Sequence, residues 1–303
     1  MPTLESLIES KLERLESIPK EFVNSVSKEQ VNIYKNVLNK LDALKKKNGV
    51  IIVNQQNLKI ASDISNELTA ILSTGEYKAA VRDFIGEFDK QAEINDGILK
   101  DTLEDVIFSD KSALILANYK RIATENLISS STLTQVLSGP IKNEIEKAVL
   151  NGNSIADLTE SIRTITIGDP TQLGRLERYA NQIAYDGIAT TDRAYTKSIS
   201  EDNGIEFYRY AGGLVRDSRS FCQSRDNKYF HIEEIHKWGS LSPWDGRIKG
   251  TNESNIFTNL AGHNCRHSLV PVSLARVPKD VLRRNLSNGN IKLNDNEKEI
   301  LGL

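Results

Sequence analysis

The sequence predicts an α+β protein in which a mainly helical body carries a small mixed α+β domain near its C-terminus. Three observations predict it. Through residue 203 the apolar residues recur at steps of three and four, a spacing that lines one face of a helix. From Ile205 the pattern changes to short alternating segments parted by Gly, Pro, Asn and Asp. All four histidines, both cysteines and both tryptophans lie between Cys222 and His267, so the second region answers to a different constraint from the first.

Taken in order, Leu4, Ile8, Leu12 and Leu15 mark a first helix, which Pro19 is expected to end because proline brings no amide donor. Ser27, with Gln30 three residues on, reads as the N-cap of a second helix through Val31, Tyr34, Leu38, Leu41 and Leu44. That helix is expected to close at Asn48-Gly49 in a left-handed C-cap. Val50 to Val53 suits a strand or a buried connector. Ile60, Ile64, Leu68 and Ile71 mark a third helix and Tyr77, Val81, Phe84 and Phe88 a fourth, with Gly75 between them. Two more span about 112–129 and 132–150, the second kinked or divided at Gly139-Pro140. Ser154 caps a short helix to about residue 163. Asp169-Pro170 then starts the longest helical stripe, carried by Leu173, Leu176, Ala180, Ile183 and Ala194 as far as Asn203-Gly204. Mutual packing explains these stripes, and no chemistry is assigned to them. The expected organisation is a helical region 1–130, a helical region 131–203 ending in a long helix, a Cys/His-rich α+β domain 204–277 and a helical tail 278–303.

Charge narrows the partners. Lys+Arg 39 against Asp+Glu 41 gives a formal net charge of -2, which excludes a global cationic field for coating DNA. Any weak contact with nucleic acid must use a local patch, either Lys45, Lys46 and Lys47 or the bases scattered from Arg216 to Lys249; the lysine run otherwise reads as a solvated helix end. The first eighteen residues lack the basic-then-apolar design of a signal peptide, and no long uncharged apolar run follows. The expectation is a soluble chain made in the cytoplasm, with no membrane contact. At 303 residues it can bury a sizeable core, so folding by itself requires neither a metal nor a disulfide.

In the C-terminal domain, Ile205 to Tyr210 reads as a strand, Gly212-Gly213 as a turn and residues 268–273 as a closing strand. The sharpest motif is Gly262-His263-Asn264-Cys265-Arg266-His267. If it is extended, His263, Cys265 and His267 share a face. With Cys222 they make a thiolate and imidazole set suited to a structural zinc, and His231 and Asp226 are alternates. The same residues also suit two small buried cysteines with hydrogen-bonded histidines. Asp217 or Ser218 is expected to cap a short helix, with Arg219 and Arg225 either gripping a carboxylate or phosphate or forming internal salt bridges. Trp238 and Trp244 are expected to cover a small core rather than stack on bases.

Read in order, Tyr210-Ala211-Gly212-Gly213, Asp217-Ser218-Arg219-Ser220-Phe221-Cys222, Lys228-Tyr229-Phe230, Ile235-His236-Lys237-Trp238, Trp244-Asp245-Gly246 and Gly262 through Ser268 with Val270-Pro271-Val272 resemble the C-terminal domain of phage Mu F-like head-morphogenesis proteins, the minor head proteins. The resemblance covers about 204–273 and extends diffusely over 140–203; residues before about 130 match nothing in it. It implies a virion component made in the host cytoplasm. Such a protein is present in multiple copies, associated with the portal or major capsid protein, and acts in head assembly. Many relatives carry paired cysteines at each end of the domain, whereas this chain has Ser220 and Cys222 at one end and His267 in place of the last cysteine at the other. That pattern implies a mixed site of Cys222, Cys265 and His267, with His263 inferred as the fourth ligand. The family brings no catalytic reaction with it, so no enzyme activity is expected. Two other functions compete. One is a metal-dependent nuclease or packaged effector with His263 or His231 as general base, Asn264 as orienting group and Asp217 or Asp226 near the ion. The other is an assembly scaffold or adaptor absent from mature particles.

Overall fold

The computed structural model describes residues 3–303. Helix makes up 67% of the chain and the sheets are small and antiparallel, so the fold is the predicted α+β class. The chain forms two compact units, each built from separated stretches. A sheet unit takes the described residues up to Ser17, Glu87–Lys120 and Tyr185–Leu303; a helical unit takes Ile18–Gly86 and Arg121–Ala184.

Helix α1 (Leu4–Leu41) runs through Pro19 instead of stopping there. Leu15, Ile18, Phe22 and Val26 are all buried around the proline. Burial of such side chains contributes about 1.5–3 kcal/mol each, which outweighs the ~3 kcal/mol cost of an interior proline. Ser27 therefore lies inside α1 and caps nothing. Asn48-Gly49 is likewise no helix cap. It is the turn between β1 (Lys46–Lys47) and β2 (Val50–Ile51), with φ of 52° at Asn48 and 80° at Gly49. Two successive left-handed residues match the right-handed twist of a tight hairpin. Buried Asn57 pins this hairpin, accepting from the Lys45 amide and donating to the Lys45 and Ile52 carbonyls. The lysine run is thus an exposed hairpin, not a helix end.

Helices α2 (Gln55–Thr74), α3 (Glu76–Thr102) and α4 (Asp110–Ile128) follow where the stripes predict them. Next come α5 (Ser130–Leu133), one π-helical turn (Thr134–Ser138) and α6 (Gly139–Asn151). The π turn is how the chain accommodates Pro140, which has no amide for the Val136 carbonyl. Arg175 Nε donates to that carbonyl instead, at 3.0 Å. Helix α7 (Ile155–Thr166) is capped by Ser154, as predicted. Asp169-Pro170, by contrast, does not open the next helix. It forms the turn between β3 (Gly168–Asp169) and β4 (Gln172–Leu173), where the Asp169 carboxylate accepts from the Thr171 and Gln172 amides. An N-cap and an Asx turn use the same carboxylate-to-amide bond, so one sequence signal serves both. Helix α8 (Arg175–Asp202) starts only after this hairpin.

In the sheet unit, β5 (Phe207–Ala211) is the centre of a three-stranded antiparallel sheet. Around it lie α9 (Ser220–Gln223), β6 (Tyr229–His231), α10 (Ile232–Lys237), α11 (Ile256–Asn259) and β7 (Ser268–Val272), followed by the tail helices α12 (Lys279–Ser287) and α13 (Asp295–Leu301). Both β6 and β7 pair with β5, and β7 is an edge strand, which is where Pro271 can be tolerated. Alternation divides the sheet between two cores. Tyr208, Tyr210 and Leu269 pack with Phe221, Trp238 and Phe257, while Ala211 and Val270 pack against Ile8 of α1 and Ile98 of α3. Under that second face Lys11 Nζ lies 3.1 Å from Asp192, both side chains 0% exposed. Lys11 also donates to Asn95 Oδ1, and Asp192 accepts from Gln91, Asn95 and Ser268. Every charge in this core therefore has partners, as burial demands.

Candidate metal centre

Three chain segments converge behind β5. Cys222 sits on α9, Cys265 in the turn after α11, and His267 immediately before β7. The strand register explains the meeting: Ala211 pairs with Ser268, which sets His267 against Gly212. A Cβ at position 212 would stand 2.6 Å from the His267 Cα, so only glycine permits this approach. One ligand-type atom from each of Cys222, Cys265 and His267 lies within 4.8 Å of the others, and all three residues are buried. This group can hold a metal ion.

Its surroundings are specific. Tyr210 donates from its hydroxyl to the Cys222 sulfur at 3.4 Å, and its ring lies 4.7 Å from the His267 ring. Burial keeps that phenol protonated well above its usual range. The Cys265 thiol is held well below its ordinary value, first by a hydrogen bond from Cys222 and then, against the effect of burial, by Arg193 and His267. Cys222 shifts the opposite way because it is the donor in that bond and is itself desolvated. Neither buried nitrogen of His267 makes a well-formed hydrogen bond among the described residues. Asp226 lies against the ring, 3.5 Å from Nε2. Buried imidazole nitrogens that lack a hydrogen bond are costly in a dry site, and sulfur with imidazole is the donor set that a borderline-soft divalent ion takes.

Arg193, which the sequence did not single out, supports the whole turn. From α8 it donates to the carbonyls of Cys265 (2.6 Å), His267 (2.8 and 3.0 Å) and Thr258 (3.1 Å). It is 2% exposed.

The remaining candidates fall elsewhere. The segment 262–267 is not extended: Gly262 and Asn264 have φ of 101° and 55°, and the resulting turn takes His263 off the face shared by Cys265 and His267. His263 Nδ1 instead meets Asp186 Oδ2 at 2.8 Å, with the imidazole 44% exposed, and the Asn264 amide binds the same carboxylate. His231 is buried as the N-cap of α10, accepting from the Glu233 amide. Asp217 is exposed, and neither it nor Ser218 caps α9; Ser218 Oγ accepts from the Val215 amide. Arg219 and Arg225 do not pair on an anion. Arg219 donates to the His263 carbonyl, while Arg225 stacks on Phe221 and Trp238 and donates to the Phe221 carbonyl. Trp238 and Trp244 cover the core as expected, each in ring contact with Phe221. Comparison of the chain with protein-family models, curated proteins and solved structures found no match in any of the three.

Proposed function

We propose that the chain is a minor structural protein of a tailed-phage head, acting at the portal or capsid interior, with a zinc ion clasping its C-terminal domain. The observation that carries this is the closure of the segment between Cys222 and His267 on itself, so that the two ends of the ordered Mu F-like motif meet at Cys222, Cys265 and His267. Zinc suits two thiolates and an imidazole, and a carboxylate placed like Asp226 fixes the orientation of a metal-bound histidine. Bound there, the ion would tie the α9 segment to the β5–β7 sheet. Its role would be structural, with Asp226 or a water supplying the fourth ligand that tetrahedral zinc takes. Mass spectrometry and electron microscopy of purified particles of the encoding phage test the assignment. A few to tens of copies per mature head are expected; absence from mature heads rejects it, and presence only in immature heads makes the chain a scaffold.

One observation favours a second function, a packaged nuclease. Asp186 orients the exposed His263 ring as a carboxylate orients a general base. Plasmid nicking with Mg²⁺, Mn²⁺ or Zn²⁺, lost in His263→Ala, is the result that function requires, and equal inactivity of both proteins retires it.

A further inference from the structure

We propose that the helical unit carries a phosphate-binding cleft between the π turn and the start of α8, independent of the metal centre and of the phage-head assignment. The cleft is open to solvent, with a volume of about 390 Å³, and its walls include Thr132, Gln135, Arg175, Arg178, Tyr179 and Gln182. Arg175 and Arg178 bring guanidinium cations and Gln135 and Gln182 carboxamide donors, the Tyr179 hydroxyl is already taken by the Asn126 carbonyl at 2.8 Å, and no carboxylate of the described residues lines the space.

The two guanidinium groups are each anchored by one bond. Arg175, Arg178 and Gln182 stand three and four residues apart on one face of α8. The bond from Arg175 Nε to the Val136 carbonyl, made because Pro140 cannot supply a donor, fixes that guanidinium and leaves its two terminal nitrogens without a protein partner among the described residues. Arg178 makes one bond, Nη1 to Gln172 Oε1 at 3.2 Å. Neither arginine has an ion-pair partner among the described residues. The carboxamides of Gln135 and Gln182 are exposed and unbonded within the described chain.

Arg175 and Arg178 stand in the first turn of α8 on either side of Glu177, which bonds Gln30 and pairs with neither of them among the described residues. The first turn of a helix is its positive end, where Lys or Arg is unfavourable and an anion favourable. Guanidinium forks recognise both carboxylate and phosphate. Here donors on two walls, from the π-turn segment and from α8, exceed what the two oxygens of one carboxylate can accept, whereas the three or four oxygens of a phosphate can serve both. A free or small-molecule phosphate and a nucleic-acid backbone share this chemistry.

The test uses the full chain with two probes, inorganic pyrophosphate by calorimetry and a labelled short single-stranded oligonucleotide by anisotropy. Arg178→Glu and Gln182→Glu are the variants, since both side chains are exposed and neither change should unfold the protein. Binding of at least one probe is expected, weakened about tenfold or more by either variant. Pyrophosphate binding alone assigns a small-molecule phosphate; a much tighter oligonucleotide with a steep salt dependence assigns nucleic acid. Three results overturn the proposal: neither probe binds at millimolar concentration, both variants bind like wild type, or an oligoglutamate of equal charge binds as tightly as the oligonucleotide.

Discussion

The Nη2 of Arg193 donates to the carbonyl of Cys265 at 2.6 Å, and the same guanidinium reaches the carbonyls of His267 and Thr258. The turn that carries two of the three ligand-type side chains therefore hangs from one residue of α8. Arg193→Met removes the donor from all three carbonyls at once, and an orphaned buried acceptor costs about 1–3 kcal/mol. A loss of about 3–5 kcal/mol is expected from urea unfolding, with Arg193→Lys recovering part of it because an ammonium lacks the planar fork. A change below about 0.5 kcal/mol, the size of an ordinary surface substitution, contradicts this role.

The Lys11–Asp192 pair gives a second prediction. Burial pushes the Asp192 carboxyl up, but Lys11 and then Asn95, Ser268 and Gln91 outweigh it and hold the group below its usual range. Burial also lowers Lys11, and there the pull of Asp192 does not fully compensate. The carboxylate, with three further donors, is the secure partner of the two. Lys11→Met should cost about 3–5 kcal/mol by stranding that charge, and adding Asp192→Asn should restore part of the loss in a double-mutant cycle.

The same pair sets an acid limb. A carboxyl depressed in the folded state contributes stability that is complete above its unfolded pKa and lost as pH falls through the lower folded value. Asp192→Asn should flatten unfolding free energy against pH below about pH 4 relative to wild type. Parallel curves for the two proteins in that range would show that Asp192 is not depressed. Lys11 acts in the same direction at higher pH, its cost fading as pH rises from its lowered folded value toward its unfolded one.

Gly212→Ala tests the close approach of β5 to His267. The added carbon would stand 2.6 Å from the His267 Cα, so the strand ends must part. Overpacking of this kind costs about 1–3 kcal/mol, and metal retention should fall with it. Unchanged stability and metal content would mean that the register at Gly212 does not hold His267 in place.

His263→Ala separates the histidines. His263 belongs to a half-exposed pair with Asp186, and such pairs contribute about 0–1 kcal/mol. Unfolding should shift by no more than that, and metal content should stay as in wild type. Loss of metal in this variant would return His263 to the ligand set.

Much of this was legible in the sequence where the signal is local. The stripes marked α2, α3 and α4, alternation marked β5, and the clustering of rare residue types marked Cys222, Cys265 and His267. Failures arose where one short motif serves two structures. Asn48-Gly49 fits a helix C-cap and a hairpin turn alike, and Asp169-Pro170 fits an N-cap and an Asx turn alike; the neighbours with which each hairpin pairs decide the outcome. Pro19 was misread because the packing of Ile18 and Phe22 is tertiary. Arg193, Asp186 and the Lys11–Asp192 pair left no trace, since each is an ordinary polar residue on a helix whose partners lie 65 or more positions away. The turn at Gly262 and Asn264 removed His263 from the ligand face for a backbone reason that an assumed strand could not contain.

The metal clasp is tested most directly by elemental analysis of the full chain purified without chelator. One zinc per chain is expected in wild type, absent from Cys222→Ser and from Cys265→Ser, with chelation lowering the unfolding midpoint. Metal-free wild-type protein whose stability is indifferent to both added zinc and chelator would contradict it.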